Sequence, residues 1–327
     1  MKGKFKQFVF VLMTVFLFPC SVMAYSDYII PGGENVGIEI NSEGIIVIGF
    51  YKINGKLNKG NPDIKVGDQI IKVGDTLVST TKDLIESIDK QKESNHVKLT
   101  VLRDKKEKKI DLELIVVDGI YKTGLYVKDN ITGIGTLTYI DPETNIYGAL
   151  GHQVAESNSN VTVEVKSGMI FRSYVTSIDR SSNGNPGGKN AKLDFEQKFG
   201  TILKNTQYGI FGKYITDIPN KEKLKVAQAD EIELGEAYIY TVLNEEKIEK
   251  FKINITKIEK NSDTKNIYFE VTDEKLLEKT GGVIQGMSGS PIIQGDKIIG
   301  GVTHVIVSNP TTGIGIFITT MLEAGEE

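Results

Sequence analysis

Most apolar residues in this chain recur at every second position. Val97, Leu99 and Val101 alternate with polar neighbours, and Ile110, Leu112 and Leu114 do the same beyond the charged tip from Arg103 to Lys109. That period puts one face of a strand on a core and the other in water. Val36-Gly37-Ile38-Glu39-Ile40 reads as a short strand, and Ile45 to Phe50 is a continuous apolar run, as for a buried strand. Further strands are expected over 134–140, 147–150, 161–165, 170–178, 237–243, 248–255, 267–271, 298–307 and 313–318. Turn-rich stretches such as Asp141-Pro142-Glu143-Thr144-Asn145 and Ser181 to Gly188 separate them. Helical spacing is rare. Thr80 with Asp83 three residues on is a capping box, and Leu84, Ile85 and Ile88 give the helix it opens an inner face. Many short strands between turn-rich loops predict a mainly β chain, closed into barrels or sandwiches.

The first 24 residues break this pattern. Lys2, Lys4 and Lys6 precede an apolar run from Phe8 to Phe18, short for a membrane span; Pro19 ends it, and Val22-Met23-Ala24 offers a cleavage site. Residues 1–24 are expected to be a signal peptide, or an uncleaved membrane anchor that gives membrane association through the N-terminal segment. Cys20, the only cysteine, lies there, preceded by Phe18 and Pro19 rather than the small residues of a lipoprotein site. The mature chain would then have neither disulfides nor thiol chemistry. The 327 residues suit two domains beside this segment. A composition of 39% hydrophobic and 25% charged residues is that of a soluble globular protein, and a net charge of −4 gives no reason to expect nucleic acid.

Residues 34–117 form the first expected domain. Ile64-Lys65-Val66-Gly67-Asp68-Gln69-Ile70-Ile71-Lys72-Val73-Gly74-Asp75 gives a turn, a short strand and another turn, and the single helix follows. With Val36 to Ile40 ahead of it, this run resembles a bacterial-type PDZ domain. The resemblance implies that an extended peptide adds as a strand beside Gly37, Ile38, Glu39 and Ile40, its end held by backbone amides. Through a short interdomain link, that groove is expected to present residues 25–33 for self-cleavage. A β-hairpin of any small β domain is the plainer reading. His96, among polar residues before a strand, reads as a solvated surface histidine.

The chemistry lies in residues 119–327. Gly281-Gly282-Val283-Ile284-Gln285-Gly286-Met287-Ser288-Gly289-Ser290-Pro291 contains G-x-S-G-x-P. A serine hydroxyl is a weak nucleophile that needs a base, and the tetrahedral oxyanion needs preorganised N–H donors. Glycine two residues before the serine lets the amides of Gly286 and Ser288 face one point, and Gly289 leaves room for substrate. A Gly/Ser/Pro turn is the plainer alternative. The candidate base is His152, in Gly148-Ala149-Leu150-Gly151-His152-Gln153-Val154, 136 positions before Ser288. His304, in Gly300-Gly301-Val302-Thr303-His304, lines the substrate pocket or ends a strand. These motifs resemble those of chymotrypsin-like peptidases, which implies a double β-barrel. Digestive members carry Asp immediately before the nucleophile, for pairing with a new N-terminus. Met287 cannot make that pair, so N-terminal cleavage is not expected to build the oxyanion hole.

G-A-L-G-H-Q-V, G-V-I-Q-G-M-S-G-S-P-I and G-G-V-T-H-V behind a PDZ-like domain, with Ile30-Pro31-Gly32-Gly33 ahead of it, together resemble the SpoIVB peptidase family. The resemblance runs over residues 28 to 322. It implies a serine endopeptidase of endospore formers, secreted across the forespore membrane into the intermembrane space, or anchored there. It would cut itself and a membrane-bound regulator of an intramembrane protease, so that a late sigma factor is activated. No cofactor is implied. By motif, Ser288 is the nucleophile, His152 the general base and Asp273, in Tyr268-Phe269-Glu270-Val271-Thr272-Asp273-Glu274, the acid. Asp179 and Asp194 lie where the acid more often falls, and Thr272 or Asp273 would also cap a helix at Glu274 to Lys279. No carboxylate occurs among Thr280 to Gln285, so a strict preference for cutting after Lys or Arg is not indicated. A non-catalytic PDZ-containing scaffold is the competing class. A metallopeptidase fails on residue supply, because three scattered histidines without H-E-x-x-H make no metal site.

Overall fold

The alternating residues Val36, Ile38 and Ile40 and the apolar stretch from Ile45 lie on one strand of 16 residues, Asn35–Phe50, which carries Asn41-Ser42-Glu43-Gly44 between them at a shift of register. The computed structural model describes residues 25–91, 95–157 and 159–326. The expected signal segment, with Cys20, lies outside them. Strands β1 (Tyr28–Pro31) and β2 (Asn35–Phe50) lead into an inserted unit made of β3 (Gln69–Val73), helix α1 (Thr81–Asp89), β4 (His96–Arg103) and β5 (Lys106–Glu113). The chain returns along β6 (Leu125–Ile140) and continues through β7 (Ile146–Ala149), β8 (Ser167–Asp179), β9 (Gly188–Thr201) and β10 (Gly209–Lys213). Strands β11 (Gly235–Val242), β12 (Ile248–Ile258) and β13 (Ile267–Val271) precede helix α2 (Glu274–Thr280). After it come β14 (Pro291–Gln294), β15 (Lys297–Val305), β16 (Thr312–Phe317) and the terminal helix α3 (Ile318–Glu326).

The mainly β expectation holds. Six strands close a barrel in the order β11–β12–β13–β16–β15–β14 and back to β11. Its core includes Ile239, Phe251, Phe269 and Val302. An earlier ring runs β2–β6–β7–β10, then β9–β8 and back to β2, and closes between β10 and β9 through a bridge from Gly200 to Tyr214. Val36, Ile38, Ile40, Leu137, Tyr147 and Ile170 fill it.

The inserted unit has its own core, from Ile45, Val47, Ile70, Leu84, Leu99 and Leu112. Its turn at Gly67-Asp68 is explained by charge. Asp68, almost fully buried, accepts from the Lys65 amide at 2.8 Å and from Nε and an Nη of Arg103 at 2.6 Å each. That two-pronged pair satisfies a carboxylate that would otherwise be costly to bury. Helix α1 starts as expected, with the reciprocal Thr80–Asp83 capping box.

Two expectations are overturned. The stretch Gly37-Ile38-Glu39-Ile40 offers no edge to a peptide. Each residue is paired on both sides, Ile38 with Gly133 of β6 and with Ile170 of β8. A strand hydrogen-bonded on both edges cannot accept a third. It belongs to the first barrel rather than to the inserted unit. Residues 28–31 are equally committed: β1 pairs with β6 and with Leu224–Val226, and Ile29 and Ile30 are buried. They are not a free segment for self-cleavage.

Ile38 is 2% exposed within the barrel core. Ile38→Asp is therefore expected to lower folding stability by roughly 3–5 kcal/mol, as for an unpaired buried charge. Denaturant unfolding checks this, and an unchanged midpoint would show that the residue is not in the core.

Candidate active site

Ser288 lies on the loop from Gly281 to Ser290, between α2 and β14. Gly286 and Gly289 both hold φ near +91°, in the region that favours glycine. At Gly289 the reason differs from the expected room for substrate. A Cβ there would stand 2.0 Å from the Thr136 carbonyl oxygen and 2.5 Å from the Leu150 nitrogen. Glycine is what lets the loop lie against the first barrel.

The loop's peptide planes are held from behind. The Gln285 carbonyl accepts from the Lys189 amide at 3.0 Å, and the Met287 carbonyl from the Ser290 amide at 2.9 Å. In a trans peptide the N–H points opposite the C=O. Both bonds thus turn the N–H groups of Gly286 and Ser288 the other way. Among the described residues neither amide has a protein acceptor, and these are the two donors expected of an oxyanion hole. Thr136 of β6 clamps the remaining two carbonyls. Its hydroxyl donates to Gly286 at 2.8 Å and its N–H donates to the Ser288 carbonyl at 2.9 Å. Met287 is fully buried in the second barrel and its N–H donates to Ile284. The position occupied by Asp in digestive enzymes is here a core residue.

His152 follows β7 after Leu150 and Gly151, both at positive φ, +71° and +69°. A leucine held there is strained, which marks a turn imposed by its surroundings. His152 and Ser288 line one cleft of about 350 Å³, with Ile38, Ile131, Leu150, Val154 and Gln285 among its walls. His152 Nδ1 lies 2.8 Å from the Gln153 carbonyl oxygen. A carbonyl can only accept, so this nitrogen carries the proton and Nε2 keeps its lone pair. Burial pulls the imidazole below its ordinary value of 6.5, against the opposing effect of that hydrogen bond. The Ser288 hydroxyl donates to the Thr303 carbonyl at 3.2 Å.

His304 packs beside His152, ring centroids 5.8 Å apart. Its Nδ1 is 2.8 Å from the Thr303 hydroxyl, which itself donates to the Ile314 carbonyl at 3.1 Å. Burial and the neighbouring His152 lower its pKa. His96 sits at an exposed strand start beside Asp111, 3.0 Å away.

Asp273 stands apart from this group. One carboxylate oxygen accepts from the Leu276 amide at 3.0 Å and the other from the Lys252 amide at 3.3 Å, so that Asp273 is the N-cap of α2. The capping alternative describes its place; among the described residues no carboxylate is hydrogen-bonded to the imidazole. Asp179 accepts from Asn190 at 3.0 Å, and Asp194 from the Glu196 amide at 3.2 Å. The group that meets Nδ1 is the carbonyl of the next residue, which no side-chain motif encodes. Thr136 was equally hidden, one threonine among several on a strand. Among the described residues no group of His, Cys, Asp and Glu is placed to hold a metal ion.

The model of the SpoIVB peptidase S55 family matches residues 119–322, and that of the PDZ domain matches residues 36–114. The first covers more than half of the chain, which therefore belongs to the SpoIVB peptidase S55 family and is a serine peptidase, a hydrolase of peptide bonds. A search of curated proteins finds no match.

Asp273→Ala is expected to cost about 1 kcal/mol through the lost cap. Asp273→Asn, which keeps a capping side chain, should stay within about tenfold of wild-type activity, whereas loss of a triad acid costs about 10⁴. Activity of the Asn variant read beside its melting temperature separates the two roles.

Proposed function

We propose that this peptidase is an endopeptidase of sporulation signalling. It works with a serine–histidine pair completed by a backbone carbonyl, and cuts itself and a membrane-bound regulator of an intramembrane protease. The observation that carries the catalytic part is the His152 hydrogen bond to Gln153, in a cleft shared with Ser288 and beside two unengaged amides. The family's name supports the sporulation part; secretion into the space between the two sporulation membranes belongs to the same proposal and rests on the basic and apolar pattern of residues 1–24.

The chemistry follows from the tautomer. Ser288 leaves the Thr303 carbonyl and attacks the substrate carbonyl carbon while His152 Nε2 takes its proton. The carbonyl π electrons move onto oxygen, and the N–H groups of Gly286 and Ser288 receive the negative charge. The imidazolium is held by Nδ1–H on the Gln153 carbonyl. It then protonates the leaving amine as the C–N bond breaks, giving an acyl-enzyme. Water, deprotonated by His152, releases the second product and restores Ser288.

Ser288→Ala and His152→Ala are each expected to lose at least about 10³ in kcat while remaining folded, and the double variant should be little worse, since the residues act as a unit. A serine-directed covalent probe should label wild type and not Ser288→Ala; an unlabelled wild type would leave a peptide-binding scaffold as the better reading. In an endospore former, replacing the chain by Ser288→Ala should stop late sigma-factor activation, and normal activation would refute the pathway assignment.

The pH profile gives a separate check. Only neutral His152 accepts the serine proton, and burial lowers its pKa. The acidic limb of kcat/KM is therefore expected to have its midpoint below 6.5, the ordinary imidazole value. A midpoint above that value would mean a carboxylate faces the ring.

A further inference from the structure

Behind the oxyanion loop lies a lysine for which the chemistry above has no use. Lys189, at the start of β9, is 6% exposed. Its amide holds the Gln285 carbonyl, and its stem runs under the next residue: a Cβ placed on Gly286 would lie 3.1–3.2 Å from its Cβ, Cγ and Cδ. Its ammonium nitrogen ends 2.8 Å from the hydroxyl of Thr241, a fully buried residue of β11. Among the described residues no carboxylate pairs with it. Burial alone pushes the amine down to about 7.

Such a position would be more stable as a hydrophobe of the same length, because a buried amine with one hydroxyl for company is poorly compensated. A methionine would fill the space yet leave its end free to slide. Among the described residues the Thr241 hydroxyl is its acceptor, and the amine cannot slide without losing it. It therefore fixes the stem between β11 and Gly286.

We propose that Lys189 is a positioning residue of the oxyanion hole, a strut tied to Thr241 that keeps the Gly286 N–H aimed into the cleft. It does from within the chain what the digestive enzymes achieve with a buried amine at a new N-terminus, and it fits a loop whose pre-nucleophile residue is Met287. The assignment rests on the oxyanion role of Gly286 given above.

The test compares wild type, Lys189→Met and Thr241→Val by the saturation kinetics of a fluorophosphonate probe on Ser288, with thermal unfolding at pH 6. In Lys189→Met the maximal labelling rate should fall about tenfold or more, while the probe's half-saturation concentration changes little, because a misaimed donor acts on the transition state. Its melting temperature should hold or rise. The folded chain binds the lysine proton more weakly than the unfolded chain. The resulting cost is full below about 7 and fades as pH rises towards 10.5, and methionine removes it. A merely structural lysine would give the opposite pair, a lower melting temperature and an unchanged labelling rate per folded molecule, and would overturn the assignment. If Lys189→Met does not accumulate folded, Thr241→Val, which removes only the acceptor, carries the same test, and an unchanged rate there overturns it. A wild type that is not labelled refutes the serine-peptidase mechanism itself, a result distinct from either.

Discussion

Four consecutive carbonyls, from Gln285 to Ser288, each accept a hydrogen bond, and that constraint sets the chemistry of the cleft. The donors are the Lys189 amide, the Thr136 hydroxyl, the Ser290 amide and the Thr136 amide. Each bond fixes one peptide plane, and fixing the planes of 285–286 and 287–288 aims two N–H groups away from the protein. Oxyanion stabilisation depends on donors oriented before the charge appears, since reorientation during the reaction would consume what they contribute. The only local help is the turn closed by Ser290. Everything else comes from a strand of the first barrel and from the start of β9, so the site exists only when both barrels are docked.

This dependence explains why β2 has no free edge. The first barrel needs six strands to close, and the chain supplies one of them before the PDZ unit is made. The unit is then an insertion between β2 and β6, both of which run through it and the barrel. A peptide-binding strand in that place would compete with closure of the barrel that carries Thr136 and His152. The same geometry joins the two parts through continuous strands rather than through a flexible link.

Signals that depend only on neighbouring residues are legible in the sequence. The two-residue alternation located most strands, the Thr80–Asp83 box opened α1, and the G-x-S-G run placed Gly286 where a positive φ is required. Pairing partners were not legible, because any strand with one apolar face can join any sheet that buries it. Hence the sequence pattern at Ile38 suits a groove, and the residue is part of a core. The site divided along the same line. Ser288 and His152 stand in motifs that only a few residue types satisfy. Thr136, Lys189 and the Gln153 carbonyl act through ordinary strand positions or the backbone, and neither leaves a pattern. Asp273 shows the converse: a carboxylate before a short helix satisfies two descriptions at once, and the hydrogen bonds to Leu276 and Lys252 decide for the cap.

The carbonyl behind His152 sets a limit on what this base can do. An aspartate in that position has two effects, fixing the tautomer and stabilising the imidazolium. The Gln153 carbonyl supplies the first fully, because it can only accept. It supplies the second in part, as a dipole rather than a charge, and burial works against it by lowering the imidazole pKa. A weaker base is also one that stays unprotonated to lower pH, so a larger share of the protein is competent when the medium is mildly acidic. His304, held as a donor to Thr303 and itself pushed towards neutrality, adds no fixed positive charge beside the imidazolium. In the proposed mechanism the one positive charge formed in the cycle then falls on His152, while the amides of Gly286 and Ser288 receive the oxyanion.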